Sequence, residues 1–94
     1  MPSRILATIR ARVRSGQYVM TLHAEEEMDE DGFSIFDVEH ALLTGRIVGR
    51  QTDRQSKARK YLIEGRTADH TADLVVVVRF GLGGDLVIVT VYGN

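Results

Sequence analysis

The stretch Leu74–Phe80, LVVVVRF, constrains this chain most, because its first five residues are apolar with no polar residue between them. β-Branched side chains are stiff at χ1 and pack well on a pleated surface, so the run reads as a strand rather than a helix. A strand without alternation has to be covered on both sides. A second apolar run, Leu86–Tyr92, LVIVTVY, follows the short connection Gly81–Asp85, and the pair forms an antiparallel hairpin. Helices from elsewhere in the chain can cover one face of this hairpin. The other face then calls for a loop, a second copy of the chain or a different protein, since four exposed valines would be an aggregation hazard.

The first half of the sequence supplies those helices. Residues 3–15 place Ile5, Leu6, Ile9 and Val13 on one side, with Ser3 as a cap and Gly16 as a stop. Thr21 caps a second helix, Leu22–Asp31, which ends at Gly32 and turns Ala24 and Met28 inward. The third has the strongest local signals. Ser34 and Asp37 fit a capping box, Phe33 and Val38 a hydrophobic staple, and Gly45 closes the segment. Tyr18–Met20 reads as an extended link. After Gly45 the period changes, giving strands at 47–52 and 60–64 before the hairpin, with a polar loop over 66–73. The expectation is one α+β domain over residues 1–94, in which N-terminal helices pack on one side of a C-terminal, four-stranded antiparallel β-sheet. Parallel pairing, or a helix at Val75–Val78, would be inconsistent with it.

Composition narrows the class. Ninety-four residues with 44% apolar content make one folded globule. Without cysteine, disulfides and thiolate metal sites are excluded. No apolar run is long enough to span a membrane, and no secretory signal is evident, so a cytoplasmic location is expected. The net charge of −1 conceals strong segregation. Residues 23–40 hold eight acids and no Lys or Arg, whereas residues 41–66 hold seven basic residues against Asp53 and Glu64. Such blocks are either solvated faces or separate contact surfaces for a cationic and an anionic partner.

The order T-L-H-A at 21–24, Gly32, Ser34 with Asp37-Val38-Glu39, A-L-L-T-G at 41–45 and the ending Ile88–Tyr92 resembles the bacterial family catalogued as domain of unknown function 4258. The resemblance implies a compact fold like that of the RelE and MqsR toxins. Those proteins are ribonucleases neutralised by a cognate antitoxin, so an antitoxin protein and RNA are the partners it implies. Members commonly carry arginine where this chain has Glu27 and Asp31, a departure that removes two cations from the second helix.

RNA cleavage through the 2′-hydroxyl needs a base, an acid and cations for the developing phosphorane, and no metal or cofactor. His23 is the candidate acid or base, being an imidazole that matches the family's histidine; the alternative is a structural bond to Glu27 or a carbonyl. Arg79 can hold a phosphate and Tyr92 can stack a base or donate a proton; alternatively, they are an edge ion pair and a core-closing ring. Arg59, Lys60, Tyr61 and Arg66 form the most basic strand with an aromatic residue, a nucleic-acid surface or a solvated edge. His23 with Glu26 or Glu27, and Asp37 with His40, have metal-ligand spacing, but no metal site is expected from so few histidines. His70 reads as an exposed loop residue. Two functions therefore stand: a toxin-like metal-independent endoribonuclease held by a partner, and a non-catalytic protein-interaction module of the same fold. A second copy docked through the sheet is a further option.

Overall fold

A computed structural model of the chain describes residues 3–93. Three helices, α1 (Arg4–Arg14), α2 (Leu22–Asp31) and α3 (Ile35–Thr44), alternate with and precede five strands: β1 (Tyr18–Met20), β2 (Arg46–Thr52), β3 (Arg59–Arg66), β4 (Asp73–Phe80) and β5 (Leu86–Gly93). The strands form a single sheet in the order β1-β5-β4-β3-β2.

Local sequence sets the helix ends. The Leu6 amide donates to Ser3 Oγ at 3.2 Å. The Ala24 amide donates to Thr21 Oγ1 at 3.1 Å, and Gly32 ends α2 in the left-handed region, φ 73°. At α3 the capping box is complete: the Asp37 amide donates to Ser34 Oγ at 3.3 Å, and the Ser34 amide donates to Asp37 Oδ2 at 2.9 Å. Such a cap contributes about 1 kcal/mol.

The hairpin and the two strands before it pair antiparallel, as the periodicity implies. The sheet as a whole is mixed, which corrects the expectation of an antiparallel one. β1 joins β5 in parallel, with Val19 opposite Val87. Three residues are too few to carry a periodic signal, so the link hid a strand. Its ladder continues where the Thr21 amide donates to the Ile88 carbonyl at 3.0 Å. Thr21 Oγ1 also donates to the Val89 carbonyl at 3.0 Å, and Glu27 accepts from the Val91 amide at 3.1 Å, so α2 caps the rest of that edge.

Leu74, Val76 and Val78 point to the side where all three helices contribute Ile9, Val13, Ala24, Met28, Val38, Ala41 and Leu42. Each fully buried Ile, Leu or Val there stabilises by roughly 1.5–3 kcal/mol. The opposite face differs from expectation. Val75 and Val77 are only 3% and 7% exposed within a single chain, although no helix lies over them. Their cross-strand neighbours explain this: Val75 sits between Glu64 and Tyr92, and Val77 between Leu62 and Thr90. Longer side chains on the same face shield the valines, so burying them requires no second molecule. No helix among the described residues is long and apolar enough to cross a membrane.

Candidate functional site

One concavity lies where α3 ends, β2 begins and the β3–β4 loop returns. Its floor depends on close backbone approach. A Cβ at Gly65 would lie 2.6 Å from Ala41 Cα, and one at Gly45 would overlap the Glu64 carbonyl oxygen. Glycine at both positions seats α3 directly on β3. Arg10 fastens the helix end from the other side, donating to the carbonyls of Gly45 at 2.8 Å and Leu42 at 3.4 Å.

The β3–β4 loop is held by its own side chains. Asp69 Oδ1 accepts from Thr67 Oγ1 and Thr71 Oγ1, both at 2.7 Å, and from the Thr71 amide at 3.1 Å. The Thr71 hydroxyl, then the Thr67 hydroxyl, holds the Asp69 carboxyl down at about 2. The Thr67 amide donates to the Ala72 carbonyl at 2.9 Å, and the Ala68 amide donates to Asp37 Oδ1 at 2.9 Å, tying the loop to the start of α3. Bonds from the Ser34 amide and then the Ala68 amide keep the Asp37 carboxyl below its usual range.

This frame brings two histidines together. His70 sits at φ 61°, a left-handed conformation uncommon outside glycine. Its ring meets that of His40 edge-on, with centroids 4.9 Å apart. His40 Nε2 is buried and has no hydrogen-bond partner. Both rings line an open cleft of about 410 Å³, together with Thr44, Arg46, Glu64, Arg66 and Asp73. Arg46 Nη2 lies 3.4 Å from Glu64 Oε1, and Arg66 Nε lies 3.4 Å from Asp73 Oδ1. The two arginine side chains are 78% and 56% exposed, and a guanidinium has five N–H donors, so these pairs leave donors facing the cleft.

The residues singled out from the sequence are scattered around this cleft. Arg66 lines it. Arg46, Glu64, Val75 and Tyr92 form one cross-strand row on the open sheet face, so Tyr92 shares a row with two cleft residues. Arg79, opposite Val87, is on the same face but four residues further along β4, about 13 Å away at ~3.3 Å per residue. Lys60, opposite Gln51, belongs to that far end, and Arg59 is exposed where β3 begins. Tyr61 is core: its ring is 7% exposed, lies 6.4 Å from Phe80 and has the Arg50 guanidinium 5.9 Å above it. That burial removes it from the basic surface. His23 Nε2 is 3.2 Å from Glu27 Oε1, the bond to Glu27 foreseen as its structural role, and Glu27 in turn holds the Val91 amide. Arg79 and Tyr92 are therefore not gathered into one centre.

Neither cleft histidine stands out in the sequence, and the fold brings the two together. His70 is exposed, as read, yet it packs against His40. Both Asp37 oxygens are engaged, one by the capping box and one by the β3–β4 loop. Among the described residues, no group of three or more His, Cys, Asp or Glu is placed to hold a metal ion. The T-x-D-x-T pattern at 67–71 was the available signal, since hydroxyl and carboxylate side chains two apart make a self-bonded turn.

No curated protein and no solved structure matches the chain. Residues 20–93, from β1 to the end of β5, match the profile of the family described as Domain of unknown function (DUF4258), and the chain belongs to that family.

Proposed function

We propose that the chain is a metal-independent endoribonuclease of the RelE-like toxin type, with His40 and His70 as its acid–base pair. One observation carries the reading: two imidazole rings in edge contact line an open cleft that is flanked by two arginines. An imidazole can serve either as general base or as general acid. One ring takes the proton from a ribose 2′-hydroxyl as that oxygen attacks phosphorus. The other gives a proton to the departing 5′-oxygen as the P–O5′ bond breaks. The products are a 2′,3′-cyclic phosphate and a 5′-hydroxyl. Arg46 and Arg66 stabilise the charge on the phosphorane. Tyr92, Lys60 and Arg79 contact the strand along the open sheet face, with Tyr92 nearest the cleft. A cognate antitoxin holds the enzyme inactive in the cell.

The test is incubation of the purified protein with single-stranded RNA in excess EDTA. The expected products end in 2′,3′-cyclic phosphate, and a 2′-deoxy substitution at the scissile position blocks the cut. Intact RNA under these conditions rejects the enzyme. A second reading, a non-catalytic interaction module, draws on α2: among the described residues, none of its acids pairs with Lys or Arg. Intact RNA together with saturable binding of a protein partner would select it.

A further inference from the structure

A second concavity, which shares no lining residue with the His40–His70 cleft, lies between α2, β1 and the start of α3. Its floor is Met20, Met28 and Ile35, its rim is Glu25 and Asp29, and its volume is about 420 Å³. Glu25 and Asp29 are one helical turn apart, so both carboxylates stand on the same side of α2. Thioether side chains make an adaptable floor that fits more than one apolar shape.

The charge around this groove is uncompensated. Glu25 opposes Asp29, and Glu26 opposes Glu30, at i, i+4 spacing. Asp29, Glu30 and Asp31 stand in the last turn of α2, where the helix dipole disfavours anions, and that turn has no basic residue. Arg10 and Arg12 of α1 donate to the carbonyls of Leu42, Gly45 and Gly84, not to the acids of α2. The isolated chain thus carries a repulsion that a cation docked at the groove removes.

We propose that this groove docks a basic segment of a separate protein partner, with an apolar side chain on the Met20–Met28–Ile35 floor and Lys or Arg against Glu25 and Asp29. The site is independent of the ribonuclease reading. A second copy of the chain is the poorer occupant. Its basic strand β2 offers Val48 between Arg46 and Arg50, but a bulge between Ile47 and Gly49 breaks that edge. Docking β2 of one copy onto the groove of the next would also be head-to-tail, with no closure built in.

The probe is a fluorescein-labelled peptide of Lys and Leu at helical spacing, titrated with the full chain and followed by anisotropy. Saturable binding is expected, weakened about tenfold or more by Glu25→Lys/Asp29→Lys and less than about threefold by Glu26→Lys/Glu30→Lys. Both doubles change net charge equally, so the contrast isolates the groove. Glu25→Gln/Asp29→Asn provides the same test without charge reversal, should the first double fail to fold. A peptide with Ser for Leu is expected to bind about tenfold more weakly, because it lacks the anchor. Absence of saturable binding, equal weakening by both doubles, or a Ser peptide that binds as well as the Leu peptide would overturn the proposal. Sedimentation showing self-association that Glu25→Lys/Asp29→Lys abolishes would give the groove to a second copy, and would overturn it too.

Discussion

Gly65→Ala puts one methyl group into the joint on which the histidine cleft is built. The new Cβ would lie 2.6 Å from Ala41 Cα, 2.8 Å from Ala41 Cβ and 2.8 Å from the Ala41 carbonyl oxygen. Real Cβ atoms do not approach backbone this closely, so α3 has to lift from β3. Ala41 and its neighbour Leu42 are fully buried, and Arg10 pins the helix end, so the movement strains the core. Overpacking of this kind costs about 1–3 kcal/mol. In a domain of this size each kcal/mol moves the melting temperature by roughly 4–8 °C, so a drop of about 4–24 °C is expected. Ala41→Gly in the same chain removes one of the three short contacts and itself costs up to ~1 kcal/mol as a mid-helix glycine, so it does not restore stability. Thermal and urea unfolding followed by circular dichroism measure the change, with the urea m-value unaltered if only stability moves. Melting within about 2 °C of the parent would refute the close seating of α3 on β3.

Further outcomes follow from single groups. His40→Phe keeps an aromatic edge for His70 and removes an unpaired buried nitrogen; it should raise stability by about 1 kcal/mol while abolishing RNA cleavage. Asp69, whose carboxyl is held down at about 2, contributes stability that is present above its unfolded pKa and lost as pH falls through 2. Asp69→Asn should therefore melt earlier than the parent at pH 7, with the gap closing as pH falls toward 2. Burial, then the hydrogen bond from Tyr18 Oη to Glu39 Oε2, pushes the Tyr18 phenol up to about 12. That raised value means the bond contributes fully below the unfolded tyrosine pKa and is lost as pH rises through 12. Ultraviolet titration should show one phenol ionising near pH 12, and Tyr18→Phe should abolish that step.

The helices were legible because their signals are local. Ser34, Asp37 and Gly45 fix α3 within twelve residues, and Thr21 with Gly32 bracket α2. The antiparallel hairpin was legible for the same reason, as two apolar runs joined by a glycine turn. β1 was not, because its partner Leu86–Ile88 is almost seventy residues away and three residues carry no period. The shielding of Val75 and Val77 depends on cross-strand neighbours, which register alone determines. The cleft was the least legible. His40 and His70 come from a helix and a loop thirty residues apart, and they meet because Asp37 holds the loop and two glycines admit the helix. His23 looked better placed beside its cap, yet its nearest anion, Glu27, occupies it.

In the proposed reaction His40 and His70 are the acid and the base. Single-turnover cleavage of one labelled single-stranded RNA by the parent, His40→Ala, His70→Ala and His23→Ala measures it most directly. The expected result is a loss of at least about 100-fold for each cleft histidine and near-parent rates for His23→Ala. Cleavage that survives both cleft substitutions but disappears with His23→Ala would contradict it.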